Sequence, residues 1–475
     1  MISNLISMQD TVIILVTFSV IWVLWGWYLG KKSKTQDDFA LAGRNVGFAL
    51  ATATAMATWV TSNTTLVAPQ LTYQFGIWGM LGYCMAALGL LLFAPLAKRI
   101  KSLLPSGVTS GDFFYLRYGK GAWCAFLIIS LCYALGWLVS LGMAGGILLS
   151  SLSPISYHTG MTVIIVVCVL YTLLGGLRAV IATDFAQTLI IIAGVAYIAY
   201  ACLDQVGFSN TYQNVKQSQP ELLNLVFPAA IMFFFNNIFF GIGEIFHSNV
   251  WWSRALAFKQ GVGEKSFKFS ALLWFPIPIV TGFIAFSANS LGIFPESPDM
   301  VGPLVAAKVL GASGAILVFI IIFSALASSM DSLLAATSDL LSNDIYKKLL
   351  MKNASNQQLL TVNKLMIILL GVTTWLACLP KMATLGALLN FTGAFVASTI
   401  WPIIYGLYGA KLSGRGAMLA MVAGTVTGLV FYFQVGFYTA AISSCFVSFV
   451  ICQYFIRFKA IDFHWQEEQE CDHVY

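Results

Sequence analysis

Apolar runs of about 20 residues, the length a helix needs to cross a bilayer, recur along all 475 residues of the chain, separated by short polar stretches. The pattern predicts about thirteen spanning segments, near 11–30, 46–74, 75–97, 122–151, 159–176, 184–203, 224–256, 266–289, 314–341, 360–379, 383–409, 415–435 and 437–456. None shows the apolar–polar alternation of barrel strands. The fold class expected is therefore an all-α polytopic membrane protein. Residues 11–30, TVIILVTFSVIWVLWGWYLG, are long enough to span and end in a charged KKSK flank, which reads as an extra N-terminal helix rather than a cleaved signal.

Two of these segments lose their apolar character half-way. In 46–74 the lapse is at TWVTSNTT, with Pro69 close behind; in 224–256 it is at GIGEIFHSN, between FFFNNIFF and VWWSRALAF. Backbone interrupted at membrane depth is tolerated only where it lines a cavity or is buried in protein, because an unpaired amide in lipid costs several kcal/mol. Both breaks therefore point to a binding site. With the N-terminal helix set aside, they fall in the first and sixth of the next ten segments, as an inverted repeat of five helices plus five requires. The organisation expected is a first repeat at 46–203, a second at 224–409, two C-terminal helices at 415–456 and a cytoplasmic tail at 457–475.

Composition agrees: 59% of residues are hydrophobic and 9% charged, against roughly 45–50% and 25% in soluble domains. If the N-terminus is outside, only Lys216, Lys308 and Lys381 of the 25 lysines and arginines face outward, so the positive-inside rule sets the C-terminus in the cytoplasm. This asymmetry accounts for the net charge of +6 without a nucleic-acid partner. The short loops suggest a bacterial inner membrane, with no obligate protein partner and no output domain of the kind a sensor carries. Nine cysteines without a CxxC pair read as small buried side chains rather than disulfides or a zinc site. The four histidines, at 158, 247, 464 and 473, argue against a haem or copper enzyme, and the EEQECDHVY tail reads as solvated. No nucleophile–base constellation indicates an enzyme.

Several stretches resemble the sodium/solute symporter family. DDFALAGR (37–44) is similar to the entry into that family's first broken helix, and YTLLGGLRAVIATDFAQTLI (171–190) to its signature of a tyrosine, a double glycine, Thr-Asp and a glutamine. SALASSMDSLLAATSDLLSNDIYK (324–347) resembles a second signature, and PIIYGLYGAKLSGRGAMLAMVAG (402–424) the segment after the tenth core helix. TWVTSNTTLVAPQLTYQFG and SNVWWSRALAF look nearest to the urea and polyamine branch. Proline-type members place an aspartate where this chain has Trp59, and sugar-type members an acid-and-glutamine pair where it has Asn63 and Thr64.

Ala325, Ser328, Ser329 and Ser332 are spaced i, i+3, i+4 and i+7 and form one helical stripe. The bland explanation is close helix packing through small residues. The resemblance instead implies a sodium site made of the carbonyls of Ala57, Val60 and Ala325 and the hydroxyls of Ser328 and Ser329. Asp331, a carboxylate in mid-span, should face a cavity or a partner. By resemblance Asp184, Asp331 and Ser332 would hold a second cation. They could also share a proton, or Asp331 could pair with Arg178 or another basic residue at the inner surface.

Glu244 in the second break would favour a cationic or donor-rich solute, or else cap the amides of a half-helix. Trp59, Trp137, Trp251 and Trp252 could wall a solute, although lipid-facing tryptophan is the commoner case. Asn63, Thr64, Gln70, Asn249 and Asn390 are further candidate solute contacts. Asp339 and Asp344 read as surface pairs or inner-gate charges, and Gly175–Gly176 as a tight turn with close helix approach. The function expected is sodium-coupled import of a small polar solute (urea, amine or polyamine, or amino-acid-like), with no cofactor beyond the coupling ion. The alternatives are a proton-coupled symporter using Asp331, Asp184 or Glu244, and a transporter-like solute sensor.

Overall fold

The computed structural model describes residues 6–31, 35–226, 228–409 and 411–465. The end of the KKSK flank and the last ten residues, with His473, lie outside the described residues. Regular structure among the described residues is helical, apart from one isolated bridge between Val46 and Phe258. Eleven of the described helices are long and apolar enough to cross a membrane, where the hydropathy pattern predicts about thirteen segments.

The difference has two physical sources. The predicted segments 159–176 and 184–203 form one run, Tyr157–Gln205, of 49 residues. At 1.5 Å per residue it would be about 74 Å long if straight, more than twice a bilayer core. It bends at Gly176, where φ is +57° and an added Cβ would lie 2.6 Å from the Phe39 ring. Predicted segment 46–74, by contrast, is two short helices, Phe48–Trp59 and Ser62–Phe75, each too short to span alone.

Local sequence explains both breaks. After Trp59 the chain leaves the helical region at Val60 (φ −82°, ψ 82°) and Thr61 (φ −85°, ψ 169°). Thr61 and Thr64 then form a reciprocal capping box, each hydroxyl accepting the other's amide at 3.2 Å, which satisfies two of the donors a helix start leaves free. In the second break Pro228–His247 gives way to Asn249–Ala257, with Ser248 extended (φ −67°, ψ 129°) and its hydroxyl accepting the Val250 amide.

The helix carrying the serine stripe, Val301–Asp339, continues as a π-helical turn through Leu350 and packs against Tyr157–Gln205 and Ser110–Leu152. Residues 324–340 on it are buried without exception. The N-terminal helix Met8–Gly30 packs on Tyr157–Gln205 and buries Leu15 and Trp22, while Val12, Ile13, Val16, Val20 and Leu24 are exposed in the manner of a lipid-facing side.

Candidate functional site

The first break meets the serine stripe. Ser329 Oγ lies 3.2 Å from the Thr58 carbonyl and 3.0 Å from the Ala325 carbonyl, and donates its one proton between them. Because the helix stops at Trp59, the carbonyls of Ala57 near its end and of Val60 in the break lose their i+4 amide partners, whereas that of Met56 keeps the Val60 amide. Ser328 Oγ donates instead to Asp184 Oδ1 at 2.5 Å. Thus Ser329 brings the serine stripe, with Ala325 and Ser328, against Thr58, the chain neighbour of Ala57 two residues before Val60, across more than 260 residues of chain.

Beside them is a buried ion pair. The guanidinium of Arg254 and the carboxylate of Asp184 are both inaccessible to solvent and 3.3 Å apart. Arg254 Nη2 also lies 2.5 Å from Thr58 Oγ1 and 2.8 Å from Ser332 Oγ; Nε donates to Thr54 Oγ1 at 3.2 Å and Nη1 to the Val250 carbonyl at 3.2 Å. Asp184 Oδ2 accepts in addition from Thr54 Oγ1 at 2.5 Å. Breaking a buried pair by removing one partner costs about 3–5 kcal/mol, so this cluster ties both broken helices to two neighbours. Asp331 points elsewhere: it accepts from the Tyr171 hydroxyl at 2.8 Å. The three residues expected to share a second cation are divided, with Asp184 and Ser332 meeting at Arg254 and Asp331 held by Tyr171. Arg178, the other basic residue considered, is half-exposed and pairs with Asp38 at 3.8 Å.

The tryptophans turn inward. Trp59, Trp137, Trp251 and Trp252 are all at most 5% exposed, so the lipid-facing reading does not hold: each finds aromatic partners in the core. The Trp59 ring is 6.1 Å from Trp137, 5.6 Å from Trp251 and 5.7 Å from Trp274, and Trp137 stacks on Phe240. Glu244 bridges the second break, accepting from Tyr133 Oη at 2.6 Å and from Trp251 Nε1 at 3.0 Å. Its partners are side chains rather than the half-helix amides expected of a cap. Asn63 accepts from Ser140 Oγ at 3.1 Å, while Asn63 Nδ2 and Trp59 Nε1 are buried donors without a protein acceptor. Such donors are costly unless something else accepts from them.

Other expected solute contacts hold the framework. Thr64 caps the break and donates to the Trp59 carbonyl. Gln70 engages Gln74, Thr384 and the Gly386 amide. Asn249 joins the Ser110 amide to the Ala336 carbonyl, and Asn390 joins Asn236 to the Gly386 carbonyl. Asp339 and Asp344 are not surface residues: the first accepts from Asn363, the second from Thr109, Trp123 and Lys348, and Lys348 reaches Asp112 at 2.5 Å. Just inside this cluster a cavity of ≈ 10 Å³, lined by Tyr133, His247, Asn249 and Ala336, has room for about one water.

Arg254, Tyr133 and Trp274 are not singled out by the sequence, and Tyr171 and His247 enter it only as a signature residue and as part of the second break. The signal for Arg254 was its place inside the apolar SNVWWSRALAF stretch, since an ionisable residue at membrane depth is a functional candidate by default.

The model of the sodium:solute symporter family matches residues 39–424. The chain belongs to that family. It is 24% identical over 427 residues to the urea active transporter of Saccharomyces cerevisiae, a match covering 83% of this chain but 58% of the longer yeast protein. To the osmoregulated proline transporter OpuE of Bacillus subtilis it is 26% identical, over 89% of this chain and 88% of that one. Among solved structures, the substrate-bound outward-open state of a Na+-coupled sialic acid symporter superposes with a TM-score of 0.79 at 19% identity, over 95% of this chain and 98% of that one. The likeness establishes the fold. This is a multi-pass membrane protein of a transporter family, not an enzyme.

Proposed function

We propose that the protein is a sodium-coupled symporter that imports a small polar solute of the urea, amine or amino-acid type across a cell membrane. Sodium sits between the first break and the serine stripe, held by the carbonyls of Ala57, Val60 and Ala325 and the hydroxyls of Ser328 and Ser329. The observation that carries this reading is the approach of Ser329 to the Thr58 and Ala325 carbonyls at a point where the helix has released its own backbone acceptors. Hard cations favour such oxygen-only shells.

The solute lies against Trp59, Trp137 and Trp251. Trp59 Nε1 and Asn63 Nδ2 are the donors a solute carbonyl or carboxylate oxygen would satisfy, whereas both oxygens of Glu244 already have donors. That arrangement favours an amide such as urea over a bare cation. Thirteen crossings follow if the bent run 157–205 crosses twice and the two halves of 46–74 cross together. The breaks then sit in equivalent helices of repeats 46–203 and 224–409, and alternating access is the rocking of those broken helices against the remainder.

The test is thermal stability of the purified protein in sodium against potassium, over a panel of urea, polyamines, amino acids, carboxylates and sugars. A solute that stabilises only with sodium present is the expected result. Stabilisation indifferent to sodium but dependent on pH would replace it with proton coupling.

A further inference from the structure

We propose that Arg254 is a built-in cation that occupies the second cation position, so that the wild-type chain binds a single sodium ion. This rests on the sodium reading above and adds a stoichiometry to it. Of the oxygens expected to surround a second ion, Asp184 Oδ2 and Ser332 Oγ both face the guanidinium, at 3.3 and 2.8 Å, and Thr58 Oγ1 is 2.5 Å from it. The guanidinium therefore stands where a metal would have to approach all three. Asp184 Oδ1 accepts from Ser328, and Ser332 Oγ donates to the Ser328 carbonyl at 2.7 Å. The remaining expected ligand, Asp331, is turned to Tyr171 and to the Ser332 amide.

A guanidinium does here what a sodium ion would do, with differences that matter. It supplies one permanent positive charge against Asp184, and its planar fork of N–H donors reaches several oxygens at once. Thr54 and Thr58 from the first broken helix, Asp184 from the bent helix 157–205 and Ser332 from the serine stripe all converge on it. Being carried by Asn249–Ala257, it moves with the second broken helix. A diffusible ion at this position would bind and leave in each cycle and contribute its gradient. A tethered one contributes none, so solute accumulation follows the first power of the sodium gradient rather than the second.

The experiment is equilibrium binding of radioactive sodium to the purified full-length protein, counted per chain, which needs no knowledge of the solute. The wild type is expected to bind one sodium without cooperativity. Arg254→Gln, which vacates the position and leaves Asp184 uncompensated, is expected to bind two, with the second lost again in Asp184→Asn/Arg254→Gln. Arg254→Lys, which keeps a cation there, is expected to bind one. A wild type that holds two ions overturns the proposal by itself, even where Arg254→Gln does not fold; so does a folded Arg254→Gln that still binds one. A wild type that binds none overturns the sodium reading of the whole site, a result distinct from both.

Discussion

A single hydroxyl or carbonyl is a weak sodium ligand, and the candidate site depends on several being presented together by segments distant in sequence. Removing two of the proposed ligands in Ser328→Ala/Ser329→Ala is expected to lower sodium-driven uptake in proteoliposomes by more than about tenfold, since losing even 1.4 kcal/mol of ion binding has that effect. Uptake that stays sodium-dependent would remove the site assignment. The ion pair makes a sharper prediction about stability. Asp184→Asn leaves the Arg254 charge buried without its counterion and should cost about 3–5 kcal/mol, read as a large fall in the thermal midpoint. Asp184→Asn/Arg254→Gln should recover much of that loss, a coupling that independent sites would not show. At this scale the stripe of Ala325, Ser328, Ser329 and Ser332 was legible, because helical spacing alone puts those residues on one face. The role of Arg254 was not: its apolar surroundings mark it as a candidate, but nothing local names its partner, a carboxylate 70 residues away.

Elements were read well where their ends are chemical and poorly where they are geometrical. Both breaks were visible because a polar cluster in an apolar segment is unusual, and Thr61 and Ser248 are residue types suited to starting a helix. Losing the Thr61 cap in Thr61→Val should cost about 0.5–2 kcal/mol and loosen the turn that presents the Val60 carbonyl. Its expected signature is weaker sodium stabilisation in the thermal assay, with solute binding at saturating sodium retained. The bend at Gly176 was anticipated as a tight turn in the double glycine, and the structure adds its cause: positive φ together with the Phe39 ring 2.6 Å from where a Cβ would stand. Gly176→Ala is therefore expected to destabilise the protein by at least about 1 kcal/mol, whereas Gly261→Ala, also at positive φ but with open space around it, should be milder. The comparison separates backbone strain from the clash. About thirteen predicted segments stand against eleven long helices because hydropathy measures apolar length: a long run bent at one glycine reads as two, and two short halves of a broken segment read as one.

Across the whole molecule, buried polar contacts through Lys348, Asp112 and Asp344 link Ser110–Leu152 to the π-helical stretch, and the charge pattern predicts that this end faces the cytoplasm, where the cluster would act as an inner gate. Lys348→Met would leave those two carboxylates without their shared counterion, and the closed arrangement should weaken. A cysteine introduced at Ala336, on the small cavity next to this cluster, is expected to react several-fold faster with a polar thiol reagent added from that side. Unchanged labelling would show that the cluster is not a gate. The sequence by itself determined that this is a multi-helix membrane protein of the sodium:solute symporter family, where its helices break, and which serines share a face. The family follows from the resemblance of its motifs, and the rest from hydropathy, capping chemistry and periodicity, which act over a few turns of chain. Only the tertiary structure decided which polar groups meet. It turned the tryptophans inward, gave Asp331 to Tyr171 and Thr64 to a helix cap, and brought Arg254 to the proposed second cation position. Pairings between buried charges are chosen by packing among distant helices, where the cost of an unpaired charge selects a partner that no local pattern encodes.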